Sequence, residues 1–240
     1  MNRKEKIRFL LLHSLGNFCI LFSLYGVAAT FGPALSYELQ FRIAQARGIE
    51  YKVPQVSQVP RDDVKPNPST AQRSPTLGFA TLLAGNKEQI LIPNDTEFSI
   101  VIPKIGASAK VFPNVDPSNP VEFLPVLKQG IAHAQGSVFP GMSGNTYLFA
   151  HSTDNWWHVG AYNAVFYLLK DLTVGDQIIV FFEGKRHEYV VSDTVIADPT
   201  DVSLISQDHS GEERLVLQTC WPPGTIWKRL YVIAKPVNAN

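Results

Sequence analysis

From Phe9 to Ala29 apolar side chains follow one another almost without interruption, and no charged side chain occurs from Phe9 to Tyr37 apart from any charge on His13. The run exceeds the roughly 20 residues that cross a bilayer as a helix. A helix buried in a soluble core would place polar positions at helical spacing, and here they are sparse and uncharged. The pattern predicts a transmembrane helix, continued as a helical stretch from Tyr37 to Arg47 and ended by Gly48. From about 50 to 78 the character changes: Pro54, Pro60, Pro66, Pro68 and Pro75 are interspersed with Ser, Gln, Asp, Lys and Arg. Proline at this density forbids a regular helix or ladder and favours a semi-stiff tether, so a stalk is expected. Residues 79–92 turn apolar again, as a lead-in segment.

From Pro93 the period is that of strands. Phe98–Ile102, Lys110–Phe112, Asn145–Ala150, Gln177–Phe182, His187–Val191, Arg214–Thr219 and Lys228–Ile233 are short apolar or alternating runs separated by Gly, Pro and Asp turns. Such spacing predicts a barrel or sandwich, with one helix near Tyr162–Leu169. The organisation expected is therefore residues 1–47 as basic start, transmembrane helix and extension; 48–92 as stalk and lead-in; and 93–240 as an all-β domain.

Charge adds orientation. Arg3, Lys4, Lys6 and Arg8 precede the span, which places the N-terminus in the cytoplasm and the rest outside. The rival, a cleaved signal peptide with Ala28-Ala29 at its site, fits less well, because the apolar run is long for a signal h-region. Over the whole chain 21 Lys+Arg balance 21 Asp+Glu, so there is no basic footprint for nucleic acid. Asp193, Asp198 and Asp201 have no regular calcium-ligand spacing, and neither a metal nor a cofactor is expected.

Two cysteines remain, Cys19 inside the proposed span and Cys220 near the far end, and with the span in the membrane they cannot meet. A lone exported thiol is either buried and inert or has chemistry to do. Cys220 ends an apolar strand, where Trp221-Pro222-Pro223-Gly224 turns the chain. His151 ends another, and Arg229 opens the strand after the Cys220 turn, so a hairpin could return its guanidinium beside the thiol. A nucleophile, a base and an oxyanion donor are the three groups acyl transfer requires. His133 and His158 compete with His151 for the role of base, His133 the more strongly, whereas His187 and His209 read as solvated hairpin and loop residues. Trp156, Trp157 and Trp221 could line an apolar peptide groove, against the ordinary alternative of packing.

These segments resemble those of the sortases, cysteine transpeptidases of bacterial cell surfaces. Leu217-Gln218-Thr219-Cys220 matches the Leu-x-Thr-Cys part of the family's Thr-Leu-x-Thr-Cys signature, and Arg229 follows at the family's short distance. Gly130–His133, Pro140–Asn145 and Phe149-Ala150-His151 resemble the run leading to the family's histidine, and Phe166–Leu169, Gly175–Ile178 and Asp198–Asp201 follow its later pattern. Two positions depart: Ala150 where glycine is usual, and Val216 where the signature has threonine. The resemblance implies a sortase-like β-barrel with one or two short helices. It implies Cys220, His151 and Arg229 as catalytic residues; from their places beside these, Thr219, Trp221, Trp156 and Trp157 are expected to contact substrate. It implies as partners secreted proteins carrying a C-terminal sorting signal similar to Leu-Pro-x-Thr-Gly, and an acceptor amine on a cell-wall precursor or a pilin lysine. Two readings compete. One is a tethered, catalytically degenerate binding module. The other is an L,D-transpeptidase, whose cysteine lies in a Ser-His-Gly-Cys context unlike Gln218-Thr219-Cys220.

Overall fold

The computed structural model describes residues 2–54, 88–152, 165–201 and 211–237. The chain divides into two compact units, Met1–Leu39 and Gln40–Asn240. The first lies in a single long helix, α1 (Arg3–Ala46), whose Arg3–Ala28 stretch is long and apolar enough to span a membrane. Its 26 residues at 1.5 Å each extend about 39 Å, against a hydrocarbon core of about 30 Å. Phe9, Leu12, Phe18, Leu21 and Leu24 are all more than half exposed, so the helix offers apolar side chains all round rather than on one stripe. Gly48, at φ 64°, ends it: its N–H donates to the Gln45 carbonyl and that of Ile49 to the Ala44 carbonyl, both at 3.0 Å.

Within the second unit, the last turns of α1 are already part of the folded domain. Phe41 and Ala44 are buried, Phe41 against the barrel interior, and Arg42 reaches Asp171 at 3.8 Å. Beyond Gly48, β1 (Glu50–Lys52) pairs in parallel with β2 (Glu88–Ile90), and Tyr51 and Val53 pack with Leu91, Val101, Ile179 and Phe181. The stalk expected from residue 50 therefore does not begin there, and residues 88–92 belong to the domain that was expected to start at 93. The Tyr51/Val53 alternation is too short to stand out from the prolines that follow. Residues 55–87 of the proposed stalk lie outside the described residues.

Among the described residues eight strands close into a barrel. In chain order they are β3 (Phe98–Ile102), β4 (Ala107–Val115), β5 (Ile131–Ala134), β6 (Gly144–Phe149), β7 (Gln177–Phe182), β8 (Lys185–Ala197), β9 (Glu213–Trp221) and β10 (Lys228–Pro236). Around the barrel they run β10-β8-β7-β3-β4-β5-β6-β9, and β9 pairs with β10 to complete the ring. Closure satisfies both edges of every strand. Period-two alternation sends Ile100, Leu148, Val180, Tyr189, Leu215, Leu217 and Val232 inward to one continuous core. Each large side chain so buried contributes about 1.5–3 kcal/mol.

One helix was not legible in advance: α2 (Pro120–Leu127), capped by Asn119, whose Oδ1 accepts the Val121 N–H at 3.2 Å, with Pro120 in the first turn. Eight residues containing Pro125 give too little repeat to register as helical. Phe123, Val126 and Leu127 cover the outer face of the sheet over Tyr147, Phe149, Val216 and Tyr231. Of the helix expected over Tyr162–Leu169, the part before residue 165 lies outside the described residues, and Tyr167–Asp171 is a 3-10 helix.

Two histidines find structural places. His133 is fully buried: its Nδ1 accepts the Asn114 N–H at 3.3 Å, its Nε2 lies 2.9 Å from Ser137 Oγ, and its ring stacks on Phe139 at 4.6 Å. His187 is not the solvated hairpin residue expected. It is half-buried against Gly141, where an added Cβ would stand 2.7 Å from its Cε1, and burial lowers its pKa.

Candidate active site

The site is built on the outer face of β6, β9 and β10. Alternation along β9 turns Leu215, Leu217 and Thr219 inward and leaves Val216, Gln218 and Cys220 outward. Register then aligns neighbours row by row. Arg229 stands opposite Cys220, and in the next row Tyr231 and Phe149 flank Gln218. The third row is Ile233, Val216 and Tyr147. The hairpin proposed from the sequence is thus realised, with Cys220 the last residue but one of β9.

His151 follows directly from the parallel pairing of β6 and β9. The Ala150 N–H donates to the Gln218 carbonyl at 3.2 Å, and the Thr219 hydroxyl donates to the Ala150 carbonyl at 3.0 Å. One residue further along each chain come His151 and Cys220, on segments a strand spacing of about 4.8 Å apart. Ala150, where glycine is usual in the family, is not among the residues with positive φ, so its methyl group carries no backbone penalty.

Thr219, expected among the substrate contacts, is 1% exposed with its hydroxyl committed to Ala150. Its inward position follows from the strand's period of two, and it acts as a tie between the thiol strand and the histidine segment. Trp221 is half-buried and packs against the barrel interior, which is the packing alternative weighed above. Trp156 and Trp157 lie outside the described residues. The alternation that carries Thr219 inward also brings Gln218 and Tyr147 to the outer face, a signal present in the sequence but not used there.

Charge at the site is arranged around Arg229. Its Nη1 donates to the carbonyls of Ile226 and Lys228, both at 3.3 Å, which curls the guanidinium back over the hairpin. Lys228 in turn holds Asp198 at 2.6 Å. Burial pushes the Cys220 thiol above its ordinary range, and the Arg229 charge pulls it part of the way back. Burial likewise raises the hydroxyls of Tyr147 and Tyr231, again opposed by Arg229. The net direction is upward, which favours the protonated thiol at neutral pH. Alkylation of Cys220 by iodoacetamide should show a pH midpoint above the ordinary value of about 8.5, moved further up by Arg229→Gln and kept near the parent's by Arg229→Lys. A parent midpoint at or below the ordinary value would contradict this balance.

Comparison with known proteins bears on the same region. A family model of the sortase domain matches residues 100–237. Sortase D of Bacillus subtilis (strain 168) is 29% identical over 140 residues, covering 57% of this chain and 62% of that protein. The chain thus matches less than two thirds of that relative's length. Among solved structures, sortase C-1 from Actinomyces oris superposes with a TM-score of 0.50 at 26% identity, over 60% of this chain and 76% of the other. A lid mutant of sortase A from Corynebacterium diphtheriae gives a TM-score of 0.50 at 21% identity over 87% and 96%, a likeness of fold.

Proposed function

The chain belongs to the sortase family, and from that premise we propose that it is a membrane-anchored cysteine transpeptidase with Cys220 as nucleophile, His151 as acid and base, and Arg229 as oxyanion donor. The observation that supports this most directly is the register: Arg229 opposite Cys220, with the Thr219–Ala150 bond bringing the histidine segment alongside.

In this reading the Cys220 sulfur attacks the carbonyl of the threonine in a sorting signal similar to Leu-Pro-x-Thr-Gly, and its proton passes to His151. The guanidinium donates to the tetrahedral oxyanion, where a fixed donor has most effect. His151 returns the proton to the departing glycine amine as the C–N bond breaks, leaving a thioester on Cys220. An incoming amine, from a cell-wall precursor or a pilin lysine, loses its proton to His151 and displaces the sulfur, which leaves as a thiolate and takes that proton back from His151. The thioester conserves the acyl bond's free energy, so two chains are joined without ATP. The positive flank before the span favours a cytoplasmic N-terminus and an external barrel.

The test is intact mass. The full chain in detergent micelles, mixed with a Leu-Pro-x-Thr-Gly peptide, should gain the mass of the fragment ending in threonine. An added amine should remove that mass and yield the joined product. No adduct with any sorting peptide, or release to water alone with amine present, would overturn the reading.

Thr219→Val gives a subtler test of the register. It keeps shape and burial but removes the bond to Ala150, so acylation should slow about tenfold while stability falls by about 1 kcal/mol. Unchanged single-turnover acylation would show that the tie does not position the histidine.

A further inference from the structure

The residue two before the nucleophile, Gln218, lies on the same outer face, in the row below Cys220 and Arg229. Same-side residues of a strand are about 6.6 Å apart, the reach of two extended peptide residues. In that row Phe149 and Tyr231 are 7% and 2% exposed, whereas Gln218 is only half-buried, so Gln218 is the member that meets solvent. One bond orients it from beneath, from a hydroxyl that also meets Tyr231. The Tyr147 hydroxyl donates to Gln218 Oε1 at 3.3 Å, and Tyr147 is itself buried in the cluster under α2. With Oε1 turned inward to Tyr147, Nε2 points away. Among the described residues no protein acceptor takes its N–H groups, nor is it one of the atoms buried without a partner. The row therefore presents an outward-facing donor beside the thiol.

We infer that Gln218 is a specificity-determining residue: its Nε2 donates to an oxygen acceptor on the acyl side of the peptide, two to three residues before the one joined to Cys220. The inference rests on the transpeptidase reading and adds to it a substrate chemistry. A donor that a bound peptide covers without offering an acceptor carries its full desolvation cost, so a site of this kind rejects a substrate that lacks the acceptor more strongly than an apolar pocket rejects a wrong methyl group. The acceptor is either an amide or hydroxyl oxygen of a side chain or a main-chain carbonyl of the peptide. Tyr147 is then a positioning residue, since it sets which end of the amide faces the substrate.

The experiment measures acylation kcat/KM by intact mass, using the full chain in detergent micelles. The peptides are Leu-Pro-x-Thr-Gly and variants in which each residue before threonine is in turn Leu, Asn, Val or Thr. Gln218→Glu keeps the size and the Tyr147 bond but exchanges donor for acceptor. It should lower kcat/KM for the best peptide by about 10- to 100-fold. Gln218→Leu separates the two sources. With a side-chain acceptor, the preferred residue changes from Asn or Thr to Leu or Val. With a main-chain acceptor, all peptides lose alike. Tyr147→Phe, which frees the amide to turn, should blur the peptide ranking and lower kcat/KM for the best peptide by less than Gln218→Glu does. Parent, Gln218→Glu and Gln218→Leu acylating the whole series within about twofold and in the same order would overturn the inference alone. Failure of the parent to acylate any peptide would bring down the transpeptidase reading and this inference with it.

Discussion

Cys220→Ala is expected to abolish the covalent adduct and amine transfer completely while leaving the barrel folded. The thiol sits half-buried on the outer face, not in the core cluster, so its loss removes one sulfur from a site that water and neighbours can refill. A substitution of that kind costs about 1 kcal/mol or less, a shift of a few degrees in Tm for a domain of this size. The chemistry has no substitute, because no other described cysteine lies in the second unit. Circular dichroism and intact mass on the same sample separate the two effects. A variant that folds and still carries the acyl group would remove Cys220 from the mechanism.

Arg229→Lys should cost roughly 10²–10³ in acylation at saturating peptide, the scale of losing one oxyanion donor. Arginine offers a planar fork of donors, and here its Nη1 is anchored on the carbonyls of Ile226 and Lys228, which sets the plane of the rest. Lysine keeps the charge that opposes the burial of the thiol, so the pH profile of alkylation should hardly move even as turnover collapses. That split is the diagnostic. Were Arg229 needed only to lower the thiol's pKa, the lysine variant would acylate within a few-fold of the parent.

How far the sequence could be read depended on the range of the interaction. A continuous apolar run before Gly184 and an alternating one after it are both local signals, and β7 and β8 form where they lie. The β9–β10 hairpin is equally local, which is why Arg229 opposite Cys220 could be anticipated from a short turn. The parallel pairing of β6 with β9 joins residues 69 apart, as in the Thr219–Ala150 bond, and no local period announces it. Only the strand-end positions of His151 and Cys220 hinted at convergence. Thr219 illustrates the remaining difficulty. Its place in the signature suggested contact with substrate, yet the strand's alternation, which sends Thr219 inward and Gln218 outward, decides its surroundings. The docking of residues 50–53 and the helix α2 depended on tertiary cover over β7 and β6, which composition alone does not carry.

The contrast between the local hairpin and the distant parallel pair also sets an order of assembly. Contacts close in sequence close their loops quickly, whereas pairings across long separations come late. Cys220 and Arg229 can meet as soon as the β9–β10 hairpin forms, but His151 reaches them only when β6 docks along β9. In the proposed transpeptidase reading, the three residues assigned to acyl transfer therefore come together only in the finished barrel, where the Thr219–Ala150 bond closes.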